Sequence, residues 1–287
     1  MIHVGLTGWG DHPSLYNEKT AANKKLIDYS KHFPIVELDS TFYAIQSDKM
    51  MRKWTEETPD GFQFIVKAYQ GITGHQRGKL PYESEEEMFS LFKLSMTAFS
   101  EAGKLAMVLV QFPPWFDCQK ENVDRIRYVH EQLPPLPIAV EFRNQSWYSP
   151  AFRQKTLDFL QSLNIIHAVC DEPQVGDGSA PLVPVATDSK VLLRLHGRNG
   201  SGWVNTERDN KAWRKVRYLY DYNEKELEEM GEIVNSLQQQ AQEVFVIFNN
   251  NSGQHAAKNA KQFAGLFNIE YGQPITKQMD LFEEESN

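Results

Sequence analysis

The ten residues Ile138-Ala139-Val140-Glu141-Phe142-Arg143-Asn144-Gln145-Ser146-Trp147 join an apolar strand pattern to a carboxylate and a guanidinium two positions apart. Side chains of an extended chain alternate between faces, so Ala139, Glu141 and Arg143 share one face and Val140 and Phe142 the other. An isolated charge in a β-core costs several kcal/mol, which obliges Glu141 and Arg143 to find partners inside the protein or to face a wet cavity.

Outward from this stretch the same unit repeats. Apolar runs at 3–8, 35–39, 62–67, 105–111, 138–142, 165–171, 191–196 and 244–249 predict eight strands. Helices are predicted between them over 17–32, 47–58, 84–102, 121–133, 150–163, 224–241 and 255–267. Ser47 and Ser149 stand at N-cap positions, Pro150 at a first helical position, and Pro134 and Pro135 stop the helix before them. The sixth strand is followed by a Gly/Pro-rich connection over 173–184 rather than a helix. Strands that alternate with helices specify parallel βαβ units, and eight of them specify a single (β/α)8 barrel of the triosephosphate-isomerase type. An open doubly wound sheet is the weaker alternative, because no Gly-x-Gly-x-x-Gly turn is present. The barrel domain is assigned to 1–272, with a long insertion after the seventh strand, and a flexible acidic tail to 273–287.

Bulk properties narrow the function classes. A net charge of −8 opposes whole-surface affinity for nucleic acid or anionic membrane, leaving room for a local basic patch and leaving nucleic acid open as a partner. Cys118 and Cys170 are the two cysteines, without a Cys-x-x-Cys, which supports neither a zinc ribbon nor a disulfide scaffold. Strand-like sequence from Ile2 leaves no room for a signal peptide, and no apolar run reaches membrane-spanning length; a cytoplasmic protein with no membrane partner is expected.

Assigning the more polar parity of each strand to the lumen gathers Asp39, Lys67, Gln111, Arg143, Asp171, His196 and Asn249 at the carboxyl-end mouth, where barrel enzymes build their sites. One step deeper lie Glu37, Glu141 and Arg194, with Glu141 and Arg194 in one layer, as either a buried ion-pair network that fixes register or catalytic groups. By the same parity His167 faces the lumen and Cys170 faces the helices as inert packing; His3 lies at the opposite end and is structural. Trp9, Phe42, Tyr43, Phe112, Trp115 and Trp147 follow strand ends and form an aromatic rim suited to a sugar or nucleobase attached to an anion. The segment 197–217 carries Arg198, Arg208, Lys211, Arg214, Lys215 and Arg217 with Trp203 and Trp213 interleaved. It is either a phosphate-recognising insertion or a charge-laced exposed helix.

The phrases Leu6-Thr7-Gly8-Trp9, Val36-Glu37-Leu38-Asp39-Ser40-Thr41-Phe42-Tyr43, Val66-Lys67-Ala68 and Gln111-Phe112-Pro113-Pro114 stand at strand ends. So do Ala139-Val140-Glu141-Phe142-Arg143, Leu193-Arg194-Leu195-His196-Gly197-Arg198 and Phe248-Asn249-Asn250-Asn251. Together they resemble the YecE-like family, catalogued as domain of unknown function number seventy-two. The resemblance implies a triosephosphate-isomerase-type barrel and brings no established activity, cofactor or catalytic residue. In the tail, Gln278-Met279-Asp280-Leu281-Phe282 is similar to the short peptide by which bacterial replication and repair proteins bind the DNA sliding clamp. Leu281 and Phe282 would fill an apolar pocket and Gln278 would hydrogen-bond beside it. The competing reading is an amphipathic tail folded back on the barrel.

The function expected from these features is an enzyme acting on a phosphate-bearing small molecule or nucleic-acid end, linked to DNA replication or repair through the tail. Arg143, Lys67 and Arg194 would neutralise the anion, Glu141 or Glu37 would act as general acid or base, and His196 or Asn249 would orient the reacting group. Hydrolase, lyase and isomerase chemistry all stay open, and no cofactor is named. Two alternatives stand beside it. One is a metal-dependent phosphoesterase-like hydrolase drawing ligands from Glu37, Asp39, Glu141, His167, Asp171 and His196, which the interleaved Lys67, Arg143 and Arg194 oppose. The other is a non-catalytic, clamp-associated ligand-binding module.

Overall fold

Eight short, largely apolar segments pair in parallel, each with the next in sequence and the last with the first. The computed structural model describes residues 1–203, 213 and 216–269, and in it these strands close a barrel. They are β1 Ile2–Thr7, β2 Ile35–Leu38, β3 Gln63–Lys67, β4 Leu105–Gln111, β5 Ile138–Glu141, β6 Ile166–Asp171, β7 Lys190–Leu195 and β8 Glu243–Phe248. Their outward residues meet the helices in one continuous apolar shell, and their inward residues Ile35, Ile65, Met107, Leu109, Phe245 and Ile247 help fill the lumen as a plug. The barrel is a core packed at its lower levels rather than a channel.

The helices differ from the sequence expectation where apolar residues are sparse. Over 17–32 the chain forms a 3₁₀ turn, Ala22–Lys24, and one short helix, Lys25–Tyr29, because Leu26 and Tyr29 supply its buried residues. Tyr29 compensates by bridging strands: its hydroxyl accepts the Leu6 N–H at 2.9 Å and donates to the Ile35 carbonyl at 2.8 Å. The helix predicted over 84–102 divides at Met96 into Glu85–Ser95 and Thr97–Glu101. The helix after β5 begins at Arg153 rather than Pro150; Ser149 is extended, and its carbonyl receives the N–H groups of Phe152 and Arg153. Ser47 does cap Asp48–Glu56, accepting the Met50 N–H, and Asn223 with Glu226 closes a capping box on Glu224–Gln238.

One strand is reversed in parity relative to the prediction. Ala139 pairs with Ile166 and Val140 with His167, so Ile166, Ala168 and Cys170 face the lumen while His167 and Asp171 face the helices. The polar pair is tolerated outside because partners wait there. The His167 ring meets the Tyr148 hydroxyl and the Val185 carbonyl, each at 2.8 Å, and Asp171 accepts from Arg198 at 3.0 Å and from Tyr222 at 2.6 Å.

Burial holds the His167 imidazole down at about 4, below its ordinary 6.5. A base whose folded value is depressed contributes stability in full above the ordinary value and loses it as pH falls toward the folded one. Urea midpoints are therefore expected to drop between pH 7 and pH 4.5, with His75, also held to about 4, adding to the drop. His167→Gln should be less stable than wild type at pH 7 and show a shallower acid decline. A slope unchanged by the substitution would refute the assignment.

Candidate functional site

Above the apolar plug the lumen changes character within one layer. Arg194, on β7, donates from Nε and Nη2 to the two oxygens of Glu37 on β2, at 2.8 and 2.5 Å, and from Nη1 to Oε2 of Glu141 on β5. Arg143, just past β5, donates from Nε to Oε1 of Glu141 and from Nη1 to Oε2 of Glu172 at 2.5 Å. The other Glu172 oxygen accepts the Ala180 N–H at 2.5 Å. Three carboxylates and two guanidiniums thus alternate across the barrel as Glu37, Arg194, Glu141, Arg143 and Glu172, all buried. The planar fork of arginine suits this bidentate bridging, and each oxygen that leaves water gains a charge-assisted donor.

The five groups do not share one electrostatic state. Burial alone would raise the Glu141 carboxyl, but the Arg143 and Arg194 guanidiniums overcome it and hold the group well below the ordinary carboxylate range. At Glu37 burial wins over Arg194 and the carboxyl is raised. Burial also dominates at Glu172, pushing it up to about 7 against the pull of Arg143.

His196 completes the layer. Its Nδ1 lies 2.8 Å from the Asn249 carboxamide, and Nη2 of Arg143 and Nη1 of Arg194 each approach Nε2 to 3.4 Å. Burial and those two cations keep the imidazole neutral, well below its ordinary range. Gln111 meets Arg194 at 3.5 Å, and Lys67 sits at the edge, 3.4 Å from Asp39. The predicted residues Glu37, Glu141, Arg143, Arg194, His196, Gln111, Asn249, Lys67 and Asp39 are thereby brought together.

Three predicted ligand contacts are not. Asp171 points to the helix side with Arg198 and Tyr222. Trp9 packs edge-on against Trp54 at 5.3 Å, on the outside of the barrel. Trp147 is 1% exposed, stacked 4.2 Å from Phe142, with its indole N–H on the Phe116 carbonyl. Its place soon after a strand end suggested a rim residue, but the loop turns it into the shell beneath. Tyr43, by contrast, is exposed at the rim. Gln278, Leu281 and Phe282, and Arg208, Lys211, Arg214 and Lys215, lie outside the described residues.

Loops add further mouth residues: Trp203 and Arg217 from the segment read as a phosphate-recognising insertion or an exposed helix, and others that the sequence did not single out. Trp203 and Tyr218 cover the layer: the Arg143 guanidinium lies 5.3 Å from the Trp203 ring, and His196 stands 6.0 Å from Tyr218. Arg217 stacks on Trp203, Trp213 and Tyr218 at 4.4, 4.7 and 5.4 Å. Its Nε is buried and takes no hydrogen bond among the described residues, in contrast to the Nε atoms of Arg143 and Arg194. Burial would raise the Tyr218 phenol, yet Arg217, Arg143, Lys67 and Arg194 together bring it below its ordinary range. His75, from the loop after β3, also belongs here, its imidazole held down by burial and by Lys67 and Arg143. Glu172 was hidden by the parity choice at Asp171, and Tyr218 and His75 sit in loops without periodicity.

Among the described residues, one cluster brings three metal-ligating atoms within 4.8 Å of one another: Glu141, Cys170 and His196. Cys170 is thus a lumen residue, its thiol pushed well above its ordinary range by burial and kept protonated. Both Glu141 oxygens already serve guanidiniums, and one of those donors, Arg194 Nη1, faces His196 Nε2 together with Arg143 Nη2. A divalent cation at this point would be repelled by Arg143 and Arg194, so these residues do not fit one. The wider ligand set read from the sequence is also divided, since His167 and Asp171 face away.

No helix of the described residues is long and apolar enough to cross a membrane. Residues 3–282 match the family described as "Protein of unknown function DUF72". The UPF0759 protein YunF of Bacillus subtilis is 58% identical over 98% of this chain and 100% of its own length. The UPF0759 protein YecE of Escherichia coli is 33% identical over 55% of this chain and 54% of its own. Crystal structures of DUF72 family proteins from Enterococcus faecalis and Thermotoga maritima superpose with TM-scores of 0.90 and 0.79. They are 39% and 30% identical, cover 98% and 93% of this chain, and are themselves covered to 100% and 99%. A family match over residues 3–282, with relatives alike over almost the whole sequence, places this chain in the DUF72 family of proteins of unknown function.

Proposed function

We propose that the mouth of this barrel binds the phosphate group of a small molecule and that the protein is an enzyme acting on it. The observation that carries this reading is Arg217. A guanidinium clasped by three rings, with its Nε buried and without a hydrogen-bond partner among the described residues, is poised for an anion. Lys67, which like Arg217 acts on the Tyr218 phenol, pairs with one carboxylate among the described residues, Asp39 at 3.4 Å, so a ligand anion would meet two cations. Arg143 and Arg194 set the floor rather than grip the ligand, because Glu37, Glu141 and Glu172 already occupy their forks.

The proton-transfer role expected of Glu141 and Glu37 passes to other groups in this proposal. Glu141 is locked in its ionised form and Glu37 is bound bidentately below the surface, so both position guanidiniums. Tyr218, a phenol made more acidic by four surrounding cations, and neutral His196 beneath it are the groups suited to exchange a proton with a bound substrate.

Calorimetric titration with inorganic phosphate tests the binding step. Loss of a charge-assisted hydrogen bond costs about 1.5–3 kcal/mol, so Arg217→Gln is expected to raise the phosphate Kd by about tenfold to a hundredfold. Equal affinity in wild type and variant would overturn the assignment. Tyr218→Phe should retain phosphate binding while losing turnover of a phosphate ester that the wild type converts. Failure of the wild type to convert any member of a phosphomonoester and phosphodiester panel would favour the non-catalytic module.

A further inference from the structure

From the mouth toward solvent a file of ring contacts leads away from Lys67 and branches at Phe42. Its ammonium lies 5.0 Å from the centroid of Phe42. Phe42 meets His75 edge-on at 5.1 Å and Tyr43 at 5.2 Å, and His75 meets Trp115 at 5.9 Å. The inner members are partly covered, while Trp115 and Tyr43 are 61% and 57% exposed. An exposed tryptophan alone is ordinary, but here it ends a chain of contacts that starts at the anion site.

The file is built to hold its shape. Thr73, itself buried, fixes the His75 ring with its hydroxyl 2.8 Å from Nδ1. The His75 imidazole is neutral at physiological pH, since burial, Lys67 and Arg143 keep it at about 4. It therefore presents a flat aromatic surface beside Trp115 rather than another cation competing for the phosphate. The Gln70 N–H donates to the Phe42 carbonyl at 2.9 Å, and the Thr41 hydroxyl donates to the Lys67 carbonyl at 2.7 Å. These bonds tie the short helix Ser40–Tyr43 to the strand end that carries Lys67. Ammonium and rings are accordingly held in one relative position.

We infer that the ligand is a nucleotide, free or at the end of a strand, whose phosphate lies between Lys67 and Arg217 and whose base stacks on Trp115 and Tyr43. The inference rests on the anion site proposed above and adds the planar part of the molecule. Aromatic platforms take any base because every base offers a π-face, and each stacked base is worth about 1–3 kcal/mol. A lone anion such as inorganic phosphate leaves the file uncovered. A sugar phosphate lacks the planar ring that the file matches.

The full chain and its Trp115→Ala variant would be titrated with inorganic phosphate, ribose 5-phosphate, a purine nucleoside monophosphate and a short single-stranded oligonucleotide. Trp115 is at the surface, so its loss should spare the fold, which circular dichroism verifies. The nucleotide is expected to bind wild type at least about tenfold tighter than inorganic phosphate or ribose 5-phosphate, an advantage that Trp115→Ala removes without changing the phosphate Kd. An oligonucleotide that binds tighter than the mononucleotide would identify the strand end as the source; equal or weaker binding would identify the free nucleotide. Nucleotide binding no tighter than phosphate, or unmoved by Trp115→Ala, overturns this inference and leaves the anion site standing. Absence of phosphate binding by wild type overturns both.

Discussion

Arg194→Met is expected to destabilise the protein by about 3–5 kcal/mol, the range for removing one member of a buried ion network. The guanidinium is 1% exposed and serves both oxygens of Glu37 and one of Glu141. Without it, among the described residues, Glu37 keeps no salt-bridge partner and Arg143 is the one guanidinium left to Glu141. The stranded carboxyl at Glu37, already raised by burial, would take up a proton, so the loss should be smaller at pH 5 than at pH 8. Urea denaturation at the two pH values measures both effects. The double variant Glu37→Met with Arg194→Met is the control, because removing both charges should recover part of the loss. A single variant costing less than about 1 kcal/mol would mean that water already solvates this layer.

Gly5→Ala is expected to be comparably severe for a purely steric reason. Gly5 pairs with Ile35 on one side and Ile247 on the other, facing the plug. A Cβ at this position would stand 2.2 Å from the Ile35 carbonyl oxygen and 2.8 Å from its Cγ2. Since the obstacle is strand backbone, β1 and β2 would have to separate, at a cost of about 3 kcal/mol or more. Thermal unfolding monitored by circular dichroism would show it. An unchanged melting temperature would imply that the plug yields around Ile35.

What could be read from the sequence was whatever depends on period and spacing. Regular strand, turn and helix units specified the barrel, and consistent parity on seven strands placed Glu37, Lys67, Gln111, Glu141, Arg143, Arg194, His196 and Asn249 correctly at the upper lumen. β6 failed because its more polar face, with His167 and Asp171, points to the helices, and its lumen face, Ile166, Ala168 and Cys170, is the apolar one. The decision was taken by Tyr148, Tyr222 and Arg198, whose proximity is created by folding and leaves no local signal. The same error turned Cys170 outward and concealed Glu172. Loop residues such as His75 and Tyr218 follow no period at all, and the segment 197–217 showed its arginines and tryptophans without showing that Trp203, Trp213 and Tyr218 close on Arg217. Trp147 shows the converse: distance from a strand end along the chain does not say which way a loop folds.

The apolar plug has a consequence for how the charged layer communicates with its surroundings. Ile35, Ile65, Met107, Phe245 and Ile247 are fully buried and close the barrel below Arg194, so the layer meets bulk water from the upper side alone. A molecule lying across the mouth therefore acts as a stopper. It takes several ionised groups out of contact with solvent at once and strengthens every Coulomb interaction among them. Occupancy and electrostatic rigidity rise together, and hydrogen exchange at the Arg143 and Arg194 guanidiniums would register the arrival of a ligand before its identity is known.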